Sequence, residues 1–415
     1  MTSNQSLVDF CTYLENADPL VLSETSLMKN YGTQALCLIK GSGALVYDTA
    51  GNSYLDFLSG ISVVSLGHAH PKVASAVAAQ AEKLVHVSNI FANEVGPKVA
   101  AILNRLILMG TEGIPDGRVF FANSGAEVNE AAIKLARKYG LNVGRWHIIT
   151  AVGSFHGRTM GALSATGQRS KQIAFEPLLP GFSHVDWDDV DAIDSAVTDH
   201  TVAVMLEPIQ GEGGVIDPSP HYLAAVRELC DRRGLLLIID EVQTGLGRTG
   251  AWFGFQRYGI LPDVVTMAKA LGSGMPIGAC WAREGVAAAF SAGDHGSTFG
   301  GQPLAASAAW ATLREMIAID APGRALELGK LFDKKLGGRV GIDRISGTGL
   351  LRGVQITNPV AKRIAEICQN KGLIVNAIGD NTIRLAPPII VSAAQIDQAC
   401  GILNEAIGEA LCDIS

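Results

Sequence analysis

The segment Leu235-Leu-Leu-Ile-Ile-Asp240 places an acidic residue directly after five aliphatic residues. A continuous aliphatic run of this length predicts a β-strand that is buried on both faces, as in a parallel sheet covered by helices. A carboxylate at the end of such a strand is costly to bury without a partner, so Asp240 needs a cationic group beside it. That group belongs either to a bound ligand or to a structural ion pair, and a third alternative is that Asp240 caps a helix.

Four further runs of the same kind alternate with helical patterns along the chain. They are Arg118–Ala122, Trp146–Ala151, Thr201–Leu206 and Asp263–Met267. The alternation predicts βαβ units and an α/β fold whose main sheet is largely parallel. Ligands bind such sheets at the carboxyl ends of the strands, so the residues that follow each run are the candidates for a functional site.

A tight turn, Asn123-Ser124-Gly125-Ala126-Glu127, follows the first of these four strands. A helix is predicted after the turn, with apolar positions at Val128, Ala131, Ala132, Leu135 and Tyr139. Free backbone N–H groups and the positive end of the helix dipole then face the space above the turn, which suits a phosphate. The alternative is that Ser124 only caps the helix.

Lys269 directly follows the strand Asp263-Val-Val-Thr-Met-Ala268 and precedes the turn Ala270-Leu-Gly-Ser-Gly274. Desolvation at such a position lowers the pKa of a lysine toward neutrality, and a neutral amine beside flexible glycines can form a Schiff base. A solvated surface charge is the alternative for Lys269 taken alone. A phosphate turn, a strand-terminal acid and a strand-terminal lysine in this order along one sheet together predict a pyridoxal phosphate site.

The composition of the chain excludes several classes of function. Its 415 residues suit one large α/β domain plus a smaller one, and 48% hydrophobic with 18% charged residues is typical of a globular protein. A formal net charge of -7 with no Lys/Arg-rich run argues against nucleic acid as a partner. No apolar run approaches the roughly 18 residues needed to span a bilayer, so no membrane partner is expected.

The seven cysteines are scattered, and none belongs to a CxxC pair. This pattern argues against a disulfide framework and against a zinc or other metal site. Residues 1–10 contain no basic region followed by an apolar core, so no export signal is expected. These observations together predict a cytoplasmic location.

Several longer motifs resemble those of one enzyme family, the class III pyridoxal-phosphate-dependent aminotransferases. The matching segments are Ser124–Lys134, Phe155–Thr159, Glu207–Gly214, Asp240–Gly250, Thr266–Ala270 and Gly296–Gly301. The resemblance extends from about Tyr31 to Val391. It implies fold type I of the pyridoxal-phosphate-dependent transferases, with a large domain around a mainly parallel, seven-stranded sheet at residues 66–305. Residues 1–65 and 306–415 would form a smaller α+β domain.

The resemblance also implies roles for the matching residues around the cofactor. Lys269 would bind the cofactor aldehyde and later move a proton between the substrate carbon and the cofactor. Asp240 would pair with the protonated pyridine nitrogen, which lets the ring accept electrons. The other contacts to the ring and phosphate would come from Ser124, Gly125, Ala126, Phe155, His156 and Gln243. Thr298 would complete the phosphate site from a neighbouring subunit, so a homodimer with shared active sites is expected.

Two arginines beside these motifs predict the type of substrate. Arg158 lies three residues after Phe155, and Arg384 lies in the segment Thr382-Ile-Arg-Leu-Ala386. A guanidinium binds a carboxylate bidentately, so two of them suit a dicarboxylate such as glutamate or 2-oxoglutarate. A surface salt bridge is the alternative for each. The resemblance implies that Glu212 covers Arg384 while an ω-amino donor is bound and moves away for glutamate.

The implied reaction transfers the terminal amino group of N2-acetyl-L-ornithine to 2-oxoglutarate, giving N-acetyl-L-glutamate 5-semialdehyde and L-glutamate in arginine biosynthesis. The short segment 31–37 and the segment Val375–Ala377 favour the acetylated donor, which Ser297 would help to hold. Val64 and Gln302 depart from the pattern, because asparagine is expected at both positions. The alternatives are ornithine, succinylornithine or 4-aminobutyrate as donor, aminomutase or decarboxylase chemistry, and a catalytically silent cofactor-binding protein.

Overall fold

The computed structural model describes residues 4–413, and residues 1–3 and 414–415 lie outside the described part of the chain. The strands are β1 (Leu38–Ser42), β2 (Leu45–Asp48), β3 (Ser53–Asp56), β4 (Arg118–Ala122), β5 (His147–Ala151), β6 (Phe182–Val185), β7 (Thr201–Leu206), β8 (Leu236–Asp240), β9 (Val264–Met267), β10 (Gly278–Ala282), β11 (Ile342–Thr348), β12 (Leu351–Ile356), β13 (Leu373–Ile374), β14 (Asn376–Ile378) and β15 (Thr382–Leu385). The α-helices are α1 (Asn4–Asn16), α2 (Pro19–Ser26), α3 (Ser59–Ser62), α4 (Pro71–Lys83), α5 (Gly96–Ile107), α6 (Gly125–Tyr139), α7 (Met160–Ala165), α8 (Arg169–Gln172), α9 (Val190–Ala196), α10 (Tyr222–Arg233), α11 (Glu284–Ala287), α12 (Pro303–Ala318), α13 (Ala321–Leu336), α14 (Ala361–Asn370) and α15 (Ala393–Cys412).

Seven strands form the central sheet in the order β4-β10-β9-β8-β7-β5-β6. All neighbours in this sheet are parallel except that β10 runs antiparallel to both β4 and β9. The prediction of an α/β fold with a mainly parallel, seven-stranded sheet is therefore confirmed. Three of the predicted strands begin one residue later than expected, at His147, Leu236 and Val264.

Sequence reasoning did not find strands β6 and β10. β6 is a half-buried edge strand, and β10 has the sequence Gly-Ala-Cys-Trp-Ala, which contains no β-branched residue. The antiparallel direction of β10 brings the carboxyl ends of β4 and β9 to its first residues, because Gly278 pairs with Ala122 and Ala279 pairs with Met267. The turns after β4 and β9 therefore lie at the same edge of the sheet.

The central strands alternate their side chains between two hydrophobic clusters, one on each face of the sheet. In β8, Leu236 and Ile238 belong to the cluster that contains α6, whereas Leu237 and Ile239 belong to the cluster that contains α10. Because both faces are covered by helices, the strand has no polar residue before Asp240. This burial on both faces is what the continuous aliphatic run predicted.

Helix α6 packs on the sheet through the apolar positions that its sequence indicated. Of the five predicted positions, four are buried, namely Val128, Ala131, Ala132 and Leu135. The prediction was wrong for Tyr139, which is 47% exposed. Tyr139 is the last residue of the helix, where the chain leaves the helix at Gly140, so its side chain does not reach the sheet.

Two smaller sheets, with the orders β1-β2-β3-β13 and β11-β12-β15-β14, complete the architecture. Strand β13 pairs in parallel with β3, with Leu373 opposite Leu55, so N-terminal and C-terminal segments share one sheet. The exact domain boundaries at residues 66 and 305 stay a prediction. Within residues 4–413, no helix combines the length and the apolar character that are needed to cross a bilayer.

Arg248 connects the loop after β8 to the two terminal segments. Its side chain is 1% exposed and donates hydrogen bonds to the carbonyl oxygens of Leu350 and Pro387 and, at 2.9 Å, to Ser65 Oγ. Burial lowers the pKa of Arg248 to about 9. One guanidinium thus holds residues from both ends of the chain against the central sheet.

Candidate active site

A cavity of about 390 Å³ lies at the carboxyl ends of β4, β7, β8 and β9. Most of the residues predicted to contact cofactor or substrate line it, namely Ser124, Gly125, Ala126, Phe155, His156, Arg158, Glu212, Asp240, Gln243 and Lys269. They are distant in sequence, and the sheet brings them together because the carboxyl ends of its parallel strands meet at one edge.

The N-terminus of α6 forms one end of the cavity. Ser124 Oγ accepts a hydrogen bond from the N–H of Glu127 at 3.2 Å and so caps the helix. The N–H groups of Gly125 and Ala126 line the cavity and have no acceptor within residues 4–413. The cap and a phosphate site are compatible here, because they use different N–H donors.

Two glycines allow α6 to approach the sheet closely. A Cβ at Gly125 would lie 2.8 Å from Val242 Cγ1, and a Cβ at Gly278 would lie 2.8 Å from the carbonyl oxygen of Ser124. Both distances are too short for any side chain, so substitution would push the helix N-terminus away from the sheet edge.

Asp240 lines the same cavity as the N-terminus of α6. It is 4% exposed, and three hydrogen-bond donors hold its carboxylate. Its Oδ2 accepts from Asn129 Nδ2 at 2.7 Å and from His156 Nδ1 at 2.9 Å, and its Oδ1 accepts from the N–H of Val242 at 2.9 Å. Asn129 is itself fixed, because its Oδ1 accepts from Thr266 Oγ1 at 2.7 Å. No lysine or arginine within residues 4–413 pairs with Asp240, so its cationic partner is either His156 or a ligand.

Lys269 is half-buried, and its side chain lines the cavity rather than the protein surface. Desolvation lowers the pKa of Lys269 to about 8, although the negative charge of Glu212 opposes this shift. The backbone of Lys269 has a φ of 42°, in the left-handed region that residues with side chains rarely adopt. Such strain is typical of functional turns, where the surrounding structure enforces it.

The cavity wall contains two residues that sequence reasoning missed, Asn129 and Glu207. Glu207 accepts hydrogen bonds from the N–H groups of Phe155 at 3.0 Å and Gly211 at 3.3 Å. Burial raises its pKa to about 7, against the opposing influence of His156. A signal for both residues was present: Glu207 directly follows β7, and Asn129 is a polar residue among the buried apolar positions of α6.

These groups fit pyridoxal phosphate. The free N–H groups of Gly125 and Ala126 suit its phosphate, and the buried carboxylate of Asp240 suits its pyridine nitrogen. The Lys269 amine, with its lowered pKa, suits the cofactor aldehyde, and Phe155 lines the space between these ends.

A second cavity of about 570 Å³ adjoins the first, and Glu212 lines both. Arg384 lies in its wall, 1% exposed, and its Nη1 donates to Glu212 Oε1 and, at 3.1 Å, to Gln243 Oε1. Its Nη2 donates to Asn376 Oδ1 at 2.7 Å. Burial raises the pKa of Glu212, but the charge and hydrogen bond of Arg384 outweigh this, so its pKa lies below the usual value. Arg384 is therefore not part of a surface salt bridge.

The remaining predicted residues differ in their placement. Arg158 lines the first cavity, with its guanidinium carbon 5.6 Å from the centroid of the Phe155 ring. Ser297 and Thr298 line neither cavity: Ser297 Oγ accepts from the N–H of Gly300 at 3.0 Å, and Thr298 is exposed. Ser297 Oγ also accepts from Asn123 Nδ2 at 3.3 Å, and Asn123 lines the first cavity, so the single chain places Ser297 beside the site and leaves Thr298 outside both cavities.

The two positions that depart from the family pattern lie near the site without lining the first cavity. Val63 lines it in place of its neighbour Val64. Gln302 accepts a hydrogen bond from the N–H of Val87 at 2.8 Å and donates one to the carbonyl oxygen of Thr298 at 3.2 Å. Gln302 therefore supports the loop that carries Thr298.

Comparison with known proteins identifies the family. Residues 27–407 match the family model of the class-III aminotransferases. This chain belongs to the class III aminotransferases. The resemblance drawn from the motifs is thereby confirmed.

Three relatives of this aminotransferase are acetylornithine aminotransferases. The protein from Caldanaerobacter subterraneus subsp. tengcongensis is 46% identical over 393 residues, covering 92% of this chain and 97% of that protein. The protein from Mycolicibacterium smegmatis is 48% identical over 378 residues, covering 90% of this chain and 94% of that protein. The protein from Methanothermobacter thermautotrophicus is 44% identical over 400 residues, covering 95% of this chain and 100% of that protein.

Solved structures agree with the fold of this aminotransferase. An ornithine aminotransferase from Toxoplasma gondii, with partially occupied pyridoxal phosphate at its active site, is 31% identical with a TM-score of 0.89, covering 100% of this chain and 99% of that one. An acetylornithine aminotransferase from Elizabethkingia anophelis is 32% identical with a TM-score of 0.81, covering 94% of this chain and 98% of that one. The chain is a transaminase with pyridoxal phosphate as its cofactor, as predicted.

Proposed function

We propose that this aminotransferase moves the terminal amino group of N2-acetyl-L-ornithine to 2-oxoglutarate. The observation that carries the proposal is the ion pair of the buried Arg384 with the half-buried Glu212, which lines both cavities. An ω-amino donor presents a reacting carbon that has no carboxylate, so an unpaired guanidinium there would favour α-amino acids instead. Glu212 neutralises that guanidinium. The acetylornithine aminotransferases among the relatives support the choice of donor.

The same site has to accept a dicarboxylate in the second half-reaction. Glu212 has a second hydrogen-bond partner besides Arg384, because Gln243 Nε2 donates to its Oε1 at 3.5 Å. When Glu212 moves, Arg384 binds the carboxylate next to the reacting carbon, and Arg158 in the first cavity binds the distal carboxylate. With the ω-amino donor, Arg158 binds the single carboxylate, and Ser297 helps to hold the acyl group.

The residues around the cofactor divide the work of the reaction. When bound, pyridoxal phosphate accepts the amino group of the donor and delivers it to the keto acid. Lys269 Nζ takes the proton from the substrate carbon and returns it, which its lowered pKa favours. Asp240 would keep the pyridine nitrogen protonated. The residues that would hold the phosphate, the ring face and the ring hydroxyl all line the first cavity, namely Ser124, Gly125, Ala126, Phe155, His156 and Gln243.

A homodimer with shared active sites is part of the proposal. Ile90, Phe91 and Phe299 are 86%, 65% and 64% exposed. Asn89 Nδ2 donates to the carbonyl oxygens of Ser297 and Gly300 at 2.9 and 3.0 Å, which holds the two loops together as one apolar patch. Exposed apolar patches of this kind favour association, and burial of this one would carry the adjacent Thr298 toward the partner's phosphate site.

We also infer a cytoplasmic location and a role in arginine biosynthesis. The seven cysteines are all unpaired, which suits a reducing compartment. The biosynthetic role follows from the acetylated donor and fails if another donor is preferred.

Steady-state kinetics on four amine donors with 2-oxoglutarate tests the function. We expect kcat/KM for N2-acetyl-ornithine to exceed that for ornithine, succinylornithine and 4-aminobutyrate. A higher value for one of the other three would replace the proposed donor. Glutamate alone should remove the visible absorbance of the lysine-bound cofactor, and no change there would indicate a catalytically silent protein.

A further inference from the structure

Lys171 lies in the wall of the second cavity, which it shares with Glu212 and Arg384. It is half-buried and belongs to the four-residue helix α8. Its Nζ donates to Gln168 Oε1, a neutral acceptor, and it forms no ion pair within residues 4–413. A partly desolvated ammonium group without a counterion is unusual, because its charge is costly to bury unpaired.

Two glutamines hold the helix that carries Lys171. Gln168 Nε2 donates to the carbonyl oxygens of Gly153 and Ser154 at 3.1 and 3.2 Å. Gln172 is 5% exposed, and its Nε2 donates to two backbone carbonyl oxygens at 3.1 and 2.7 Å. The position of Lys171 at the cavity is therefore imposed by the backbone on both sides of it.

The charges around Lys171 make this part of the site strongly cationic. Both cations lie near the Phe155 ring. The guanidinium carbon of Arg158 is 5.6 Å from the ring centroid, and Lys171 Nζ is 5.7 Å from it. Burial, and then the charge of Arg158, lower the pKa of Lys171, whereas Glu212 raises it. Glu212 is already hydrogen-bonded to Arg384, so it is not available as a counterion for Arg158 and Lys171.

We infer that Lys171 is a specificity-determining residue, which forms with Arg158 a two-cation site for the substrate carboxylate that is remote from the reacting carbon. The inference rests on the proposed function, in which Arg384 takes the carboxylate next to that carbon. A carboxylate between the two cations supplies the counterion that Lys171 lacks and removes the repulsion between Lys171 and Arg158.

The two-cation site affects which 2-oxo acid binds and does not change the rate of the chemical step. A 2-oxo acid with a second carboxylate gains the contact to Lys171, whereas a 2-oxo acid of the same length without one does not. The gain appears in the apparent dissociation constant of the dicarboxylate, because the contact is equally strong before and during the reaction.

Single-turnover kinetics on the pyridoxamine form of the enzyme tests this inference. The two substrates are 2-oxoglutarate and 2-oxopentanoate, whose orientation is the same because the 2-oxo group must react. In Lys171→Met we expect the apparent dissociation constant for 2-oxoglutarate to rise about tenfold, with the limiting rate and the 2-oxopentanoate constants within about twofold of wild type. Lys171→Arg should keep most of the wild-type preference.

Arg169→Met is the matched control, because Arg169 lies on the same helix but is exposed and pairs with Glu176 outside both cavities. It should leave both substrates unaffected. Equal weakening of both substrates in Lys171→Met, or no weakening of 2-oxoglutarate, would overturn the inference, as would a wild-type enzyme without preference for the dicarboxylate. Failure of the proposed function is separate, because it would show in the wild-type enzyme as slow turnover of N2-acetyl-ornithine.

Discussion

Arg384 and Glu212 form an ion pair beside two adjoining cavities, in which the guanidinium is 1% exposed and the Glu212 side chain is 24% exposed. The pair is supported from both sides, because Nη1 of Arg384 also donates to Gln243 and Nη2 donates to Asn376. Removing one member therefore leaves the other desolvated and partly unpaired, which makes each single substitution informative.

Glu212→Ala should slow the half-reaction with N2-acetyl-ornithine at least about tenfold and spare the half-reaction with glutamate. The free guanidinium would then attract α-carboxylates to the reacting end of the site. Arg384→Ala should have the reverse effect. Single-turnover measurements with each donor on both variants would check this, and equal slowing of both half-reactions in Glu212→Ala would show that Glu212 only shapes the site.

Covalent attachment of pyridoxal phosphate to the apoenzyme should become faster with rising pH and level off above about pH 8. The neutral amine is the nucleophile, and burial lowers the pKa of Lys269 to about 8. Stopped-flow absorbance across pH 6–10 would measure the rate. A rate that still rises steeply at pH 10 would mean that Lys269 titrates like a solvated lysine.

Lys269→Ala should bind the cofactor without attaching it and should lack transamination.

Asp240→Asn should lower the rate of transamination far more than the affinity for the cofactor. An amide cannot keep the pyridine nitrogen protonated, and its NH₂ group would face the donors Asn129 and His156. Cofactor affinity measured by equilibrium dialysis and the half-reaction rate would separate the two effects. Wild-type turnover in this variant would assign Asp240 a purely structural role.

Gly125→Ala should weaken pyridoxal phosphate binding about tenfold or more, because the new Cβ would lie 2.8 Å from Val242 Cγ1 and displace the N-terminus of α6. The double variant Gly125→Ala/Val242→Ala removes the clashing atoms and should recover part of the affinity. Fluorescence titration of the apoenzymes would compare all three. If the double variant binds no better than Gly125→Ala, the clash is not the cause.

Arg248→Met should destabilise the protein by about 2–4 kcal/mol, because two buried carbonyl groups and a hydroxyl lose their donor. Urea denaturation at fixed protein and cofactor concentrations would measure the change. Arg339→Met is the control: this arginine is exposed, and its loss should change stability by less than about 0.5 kcal/mol. Equal stability of the two variants would show that Arg248 is not needed to hold the two terminal segments against the central sheet.

The sequence predicted the central sheet well because its strands are continuous aliphatic runs. Strand β10 was missed because Gly-Ala-Cys-Trp-Ala lacks the β-branched residues that mark a strand. Pairing on both edges and burial of its side chains stabilise it in the folded chain. Three of the predicted cofactor residues could be chosen because they lie at the carboxyl ends of predicted strands, namely Ser124, Asp240 and Lys269.

The substrate end of the site was harder to predict from sequence. Lys171 belongs to a short helix after a loop, and only the folded chain shows that it faces the same cavity as Arg384. Asn129 was hidden in a helix whose apolar spacing gave no reason to examine a polar residue. Thr298 is exposed in the single chain, so its predicted place at the phosphate site stays a proposal that requires a second subunit.

Strand β10 sets the distance between the two turns that would hold the two ends of the cofactor. It lies between β4 and β9, so the turn at Gly125 and the turn at Lys269 are two strand spacings apart, about 10 Å. Hydrogen bonds on both edges of β10 keep this spacing rigid, and Gly278 allows no side chain to widen it. The sheet would therefore select for the length of the cofactor. With the phosphate held at Gly125 and the aldehyde at Lys269, pyridoxal without its phosphate would reach only one of these two turns, and a longer phosphate ester would not fit between them.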